Sequence, residues 1–158
     1  GMRCIGAGSG EGVRTIPGSI SDGYFGFHLY IDPTFTMDAF SIIRLQSILM
    51  TDFVESVAFS IVNNTGSAGP PVNWGVTDST GDHYDNTNLT LGAWHWIECH
   101  AVCNSATVGG VEYWVDNTSI WSDFTQNYPQ TGLFETDLGV PAQAIPNAGD
   151  FLYFDNFI

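Results

Sequence analysis

Trp74, Tyr84, Trp96, Trp114 and Trp121 are the side chains of this 158-residue sequence best suited to recognising a sugar. An exposed ring stacks its apolar face on the C–H face of a pyranose, while neighbouring Asn and Asp side chains hydrogen-bond the hydroxyls. Trp96 and Trp114 are expected to act as a pair. If Trp94 packs in the core at a strand start and Ile97 faces inward, a bulge between them turns Trp96 onto the face that Trp114 occupies. A second available chemistry is the binding of a hard cation by loop oxygens. Asp78, Asp82 and Asp85 crowd into one Gly- and Asn-containing loop, a carboxylate set that suits calcium. Catalytic constellations are harder to find. His95 and Glu98 lack the second histidine of a zinc-protease helix and lie in a strand-like segment, so they read as surface or inter-strand polar residues. The nucleophile elbow Gly-x-Ser-x-Gly does not occur.

The elements that must position these groups read as strands. Stretches of alternating or near-continuous apolar character run from Tyr24 to Ile31, Phe40 to Ile48, Val54 to Val62, Trp94 to Val102, Val111 to Val115 and Phe151 to Ile158. Each has strand length, and turn-rich stretches such as 63–71 and 78–82 separate them. Residues 39–59 also fit a helical period, but the β-branched content of Ser41-Ile42-Ile43-Arg44-Leu45 favours a strand, with one helical turn near Thr51 to Phe53. Regular spacing of short strands predicts a single all-β domain over residues 1–158, an antiparallel two-sheet sandwich.

Composition agrees with a packed core: 44% of residues are hydrophobic, 14% aromatic, and 18 are glycine. Seventeen acids against three arginines and no lysine give a formal charge of −14. Such a surface repels phosphate backbones and anionic bilayers, which argues against nucleic-acid and membrane partners; it suits neutral ligands, cations or simple solubility. No apolar run approaches the roughly 20 residues that span a bilayer, and the N-terminus lacks a signal-peptide pattern. Cys99 and Cys103 share one strand face but lie about 13 Å apart along it, too far to pair. Cys4 could reach one of them if the first strand pairs nearby; the apolar flanks favour buried free thiols.

In order along the chain, Ser19 to Asp32 and Ile42-Ile43-Arg44-Leu45 resemble the early strands of laminin G-like and concanavalin A-like jelly rolls. Leu91-Gly92-Ala93-Trp94-His95-Trp96-Ile97-Glu98 is similar to a strand of that superfamily, as is Gly110-Val111-Glu112-Tyr113-Trp114-Val115-Asp116-Asn117. Leu152-Tyr153-Phe154-Asp155-Asn156-Phe157 resembles its closing strand. With this reading Val111, Tyr113 and Val115 face the core, Glu112 and Trp114 face away, and Val115-Asp116-Asn117-Thr118 makes a hairpin turn in which Asn117 replaces the usual glycine.

The resemblance implies a concanavalin A-like jelly roll, and members of that superfamily bind glycans, bind proteins, cleave glycans or decorate virus particles, so the fold leaves function open. It also implies a place for Asp155 as a structural-calcium carboxylate, with a backbone carbonyl of the N-terminal strand. Laminarinase-type members carry two glutamates flanking an aspartate; here Glu135-Thr136-Asp137 is followed by Leu138, Gly139 and Val140, so the second glutamate is missing. A lyase needs a base and a cation to neutralise a uronate, for which three arginines and no lysine equip the chain poorly.

The resulting expectation is a non-catalytic, lectin-like carbohydrate-binding module, with structural calcium as its candidate cofactor. It would recognise a glycan by stacking and hydroxyl hydrogen bonds, and would sit outside the cell or on a virion surface. The alternative expectation is a structural or assembly domain, such as a virion decoration module, that meets a protein surface and can form oligomers.

Overall fold

A computed structural model of the protein describes residues 2–5, 11–50, 55–103, 109–126, 132–139, 151–156 and 158. The strands are β1 (Met2–Ile5), β2 (Glu11–Ile20), β3 (Asp22–Ile31), β4 (Ser41–Met50), β5 (Glu55–Asn63), β6 (Asn73–Asp78), β7 (Gly81–Asp85), β8 (Trp94–Val102), β9 (Gly109–Val115), β10 (Thr118–Gln126), β11 (Leu133–Gly139) and β12 (Phe151–Asp155). They form two antiparallel six-stranded sheets, sheet A in the order β1-β12-β3-β8-β9-β10 and sheet B in the order β2-β11-β4-β5-β6-β7. Among the described residues no helix is long and apolar enough to cross a membrane. The helical turn expected near Thr51 to Phe53 lies outside the described residues.

The inner faces of the two sheets supply the core. Phe25, Phe27, Leu29 and Ile31 of β3, Ile97, Cys99 and Ala101 of β8 and Val111, Tyr113 and Val115 of β9 meet Ile43, Ile48, Val57, Phe59, Ile61, Trp74 and Val76 from sheet B. Side chains two apart along a strand share a face, and β8 obeys this without interruption: His95, Ile97, Cys99 and Ala101 are buried while Trp94, Trp96, Glu98 and His100 point outward. The expected bulge is absent there. Trp94 is half exposed rather than in the core, and His95 fills the inward position instead.

The hairpin between β9 and β10 forms as its sequence indicates. Asp116 and Asn117 adopt φ of 51° and 64°, the left-handed values that a two-residue turn demands and that Asp and Asn tolerate. Cys99 and Cys103 are buried thiols. Burial pushes the Cys99 thiol far up, which keeps it protonated.

One polar cluster closes the sandwich edge between β6–β7 and β10. The carboxylate of Asp78 is shut off from solvent. It accepts from the Thr80 N–H (2.8 Å) and hydroxyl (2.7 Å), Trp121 Nε1 (2.8 Å) and Gln126 Nε2 (2.6 Å), and contacts His83 Nε2 at 3.1 Å. Burial alone raises its pKa, but the bonds from Thr80, Gln126 and His83 outweigh burial and hold it below the usual carboxylate range.

Candidate functional site

The outer face of sheet A carries a grid of chemically useful side chains, placed by the register of four neighbouring strands. Tyr153, Tyr30 and Trp94 form one row across β12, β3 and β8. Asp155, His28 and Trp96 form the next. Gly26, Glu98, Trp114 and Ser119 form the third, crossing β3, β8, β9 and β10, and Tyr24, His100, Glu112 and Ser122 the fourth. An antiparallel ladder brings directly opposed side chains within about 5 Å of one another, so each row is a continuous surface.

The aromatic rings of this face touch in sequence. His28 lies 4.8 Å from Trp96 and 6.4 Å from Trp94, Trp94 lies 5.5 Å from Tyr30, and Tyr30 lies 6.1 Å from Tyr153, centroid to centroid. Tyr24 stacks on His100 at 4.2 Å with the planes 3° apart.

Trp96 is held from two sides. Beneath it is Gly26, where any Cβ would collide with the Cζ2 and Cη2 edge of the indole, so only glycine lets the ring lie against the sheet. At its polar edge the indole Nε1 donates to Glu98 Oε2 at 3.2 Å. Two shallow depressions flank this pair. One is lined by Trp96, Glu98, Trp114 and Asn117, the other by Tyr24, Phe25, Gly26, Trp96, Glu98 and Ile158. At about 180 and 170 Å³ each is smaller than a typical enclosed ligand pocket, so a ligand would lie along the face rather than enter a cavity. Trp96 and Glu98 line both.

Polar groups complete the face. His100 Nε2 meets Asp22 Oδ1 at 2.8 Å, His28 Nδ1 meets the Asn156 amide at 3.3 Å, and Glu112 Oε1 accepts from the Ser119 hydroxyl at 3.1 Å. The Asn156 N–H holds the exposed Asp155 carboxyl below its usual range.

The aromatic residues singled out in the sequence thus go to different places. Trp96 and Trp114 share one outward surface, through plain alternation rather than a bulge. Trp74 is fully buried, its Nε1 donating to the Thr87 carbonyl at 2.9 Å, and it presents no ring face to a ligand. Trp121 turns inward because the β9–β10 register shifts between Ser119 and Trp121; its ring is covered by His83 at 3.5 Å. Tyr84 is exposed on the opposite sheet, its hydroxyl pKa raised by burial and by the Asp82 charge.

The carboxylates singled out for calcium also part company. Asp78 serves the edge cluster, Asp82 accepts from the Thr77 hydroxyl at 2.6 Å, Asp85 accepts from the Thr87 N–H at 2.6 Å, and Asp155 lies on sheet A. Among the described residues no three His, Cys, Asp or Glu side chains converge to hold a metal. Residues that the sequence did not point to are Tyr24, Gly26, His28, His100 and Asn156. The period-2 pattern could have placed Gly26, His28 and His100 on the face of Trp96, but pairing β3 with β8 and β12 needed the sheet order.

The outer face of sheet B is different. Ala58, Ser60 and Val62 of β5 point away from the core yet are 0%, 1% and 1% exposed, and Gly75 beside them is buried. Arg44, Ser60, Gly75 and Tyr84 form one row across it. Its middle offers no open floor for a chain of sugars.

No family model and no curated protein matches the sequence. Solved structures do share the fold. An endo-β-1,4-glucuronan lyase from the fungus Trichoderma reesei aligns with a TM-score of 0.67 at 10% identity, over 98% of this chain and 77% of that one. An alginate lyase solved with an alginate trisaccharide aligns with a TM-score of 0.64 at 13% identity, over 98% of this chain and 78% of that one. A tetrameric galectin from the ball sponge Cinachyrella aligns with a TM-score of 0.61 at 7% identity, over 94% and 98%. Identities this low establish the fold, an antiparallel β-sandwich jelly roll. They also correct the expectation of a non-catalytic lectin-like or assembly module: the architecture matched over 98% of the chain is that of glycan-cleaving lyases, and an open sugar-sized face therefore does not by itself mean binding without chemistry.

Proposed function

We propose that this chain is a glycan-degrading domain that holds a polysaccharide across the outer face of sheet A and cleaves it over Glu98. The observation that carries this reading is that Glu98 and Trp96 line both of two ring-sized depressions, with Trp114 walling one and Tyr24 the other. Sugar rings stacked in adjacent depressions put their bridging oxygen above that carboxyl.

Glu98 in its acid form protonates the bridging oxygen as the bond to the anomeric carbon breaks. Glu112 is the second carboxylate. It stands diagonally across the β8–β9 ladder, opposite His100, and such diagonal positions lie roughly 7–8 Å apart. In this scheme Glu112 accepts the proton of a water that attacks the anomeric carbon from the side opposite the leaving oxygen.

Charge favours hydrolysis of a neutral glycan over elimination from a uronate. Asp22, Glu98, Glu112 and Asp155 lie on this face; Arg3 stands opposite Tyr153 on β1, three strands from Glu98 in the sheet order, and neither β3 nor β9, the strands on either side of Glu98, carries an Arg or Lys to neutralise a carboxylated sugar. Polymeric glycans are met outside the cell, which suits an extracellular setting.

The test incubates the protein with neutral β-linked polysaccharides, alginate and glucuronan, reading both new reducing ends and the ultraviolet absorbance of unsaturated products. New reducing ends without unsaturation on a neutral polymer, lost by about 10²–10⁴-fold in Glu98→Gln, support the proposal. Full activity in Glu98→Gln, or no cleavage of any polymer, would overturn it.

A further inference from the structure

His95 is a buried ionisable side chain for which the cleavage scheme has no use. It is 2% exposed and lies directly beneath the working face, between Trp94 and Trp96. Both of its ring nitrogens meet oxygen acceptors: Nδ1 is 2.8 Å from Asp116 Oδ2 and Nε2 is 2.8 Å from the Thr90 carbonyl. A carbonyl oxygen and an ionised carboxylate only accept, so both contacts are hydrogen bonds only when both nitrogens carry protons.

Among the described residues, the ring's polar contacts are the Thr90 carbonyl and the Asp116 carboxylate. The loop from 86 to 93 presents the Thr90 carbonyl. The β9–β10 turn presents the Asp116 carboxylate. Strand β6 presents the uncharged Trp74 indole, edge-on at 5.2 Å, and Asp85 of β7, opposite Trp74, is engaged by the Thr87 N–H.

Asp116 is the link from this ring to the site. Its Oδ1 accepts from the Trp96 N–H at 2.9 Å, and its own N–H donates to the Trp96 carbonyl at 2.9 Å. Both Asp116 and Asn117 hold left-handed φ, a conformation that persists only where surrounding bonds fix it. Asn117 lines the depression with Trp96 and Trp114.

We propose that His95 is a positioning residue: as an imidazolium bridging Asp116 and Thr90 it locks the β9–β10 turn against β8, and so sets Asn117 and Trp96 for the sugar. The functional half rests on the glycan-degrading reading; the protonation half does not. Charge-assisted bonds are shorter and stronger than neutral ones, so the bridge is firm only in its charged form.

Nitrogen chemical shifts of the histidine-labelled protein at neutral pH test it. Two protonated ring nitrogens are expected for His95 in the wild type, falling to one in Asp116→Asn, whose amide can donate to Nδ1. A neutral single-proton ring in the wild type overturns the proposal. His95→Phe, which keeps an aromatic ring against Trp74, is expected to shift the Asn117 amide resonance and to raise KM roughly tenfold with kcat kept within about twofold. An unmoved Asn117 resonance, or a loss confined to kcat, rejects the positioning role. If the shifts come out as expected and no polymer is cleaved, the clasp stands and the cleavage reading fails.

Discussion

The two outer faces of this sandwich come from the same architecture and end in opposite states. Sheet A shows large rings to solvent, with Tyr24 63% and Trp94 52% exposed, and carboxylates among them. The middle of sheet B shows Ala58, Ser60, Val62 and Gly75, all buried. Each face has a glycine under an aromatic ring, Gly26 beneath Trp96 and Gly75 beside Tyr84. What differs is the setting. The Trp96 indole is fixed by Glu98 and joined by Trp114, whereas Tyr84 stands at the margin of a row whose floor is closed. An exposed ring becomes a binding platform when its neighbours hold it flat and leave its outer face open.

The largest effect expected comes from the cluster that joins the two sheets and so defines both faces. Asp78→Ala leaves Trp121 Nε1 and Gln126 Nε2 without their acceptor and should cost about 2–4 kcal/mol in urea unfolding. The same carboxyl predicts acid lability. Its folded pKa is depressed, so its contribution is complete above the ordinary carboxylate value and fades as pH falls through the lower, folded value. A wild type and an Asp78→Asn variant that lose stability in parallel through that acid range would show that Asp78 is not the group responsible.

A smaller effect separates the faces directly. Trp114→Ala should raise KM for the cleaved glycan by about five- to tenfold, the loss of one ring stack, while Tyr84→Ala should leave it within about twofold. Equal losses would mean that the substrate uses sheet B, and the contrast between the faces would collapse.

The smallest effect checks the closed face. Ser60 Oγ is buried without a hydrogen-bond partner among the described residues. Ser60→Ala removes that burial penalty and should raise stability by about 1 kcal/mol or less, measured as an upward shift in Tm. A clear fall in stability would show that the hydroxyl is engaged and that the face is built around it.

Local rules carry far in this chain. The core positions of β9 and the Asp116-Asn117 turn follow from side-chain period and turn chemistry, which act over a few residues, whereas β8 alternates without the bulge that its sequence suggested. Sequence reading did not single out β1, β2, β6, β7, β10 and β11. Strand β7, Gly-Asp-His-Tyr-Asp, is an edge strand that needs no apolar outer face, and β10 carries two register shifts that break its period.

By itself, then, the sequence determined the all-β class, the approximate strand positions in β3, β4, β5, β8, β9 and β12, and the outward side of Trp114; that Trp96 joins it by plain alternation, with Trp94 exposed rather than in the core, came from the structure. Only the tertiary structure decided that Trp74 is core, that Trp121 turns inward to Asp78, that the loop aspartates separate, and that Gly26, His28 and His100 join Glu98. A ring's fate depends on which sheet covers its strand and where a bulge falls, and both are set by contacts between residues far apart in sequence.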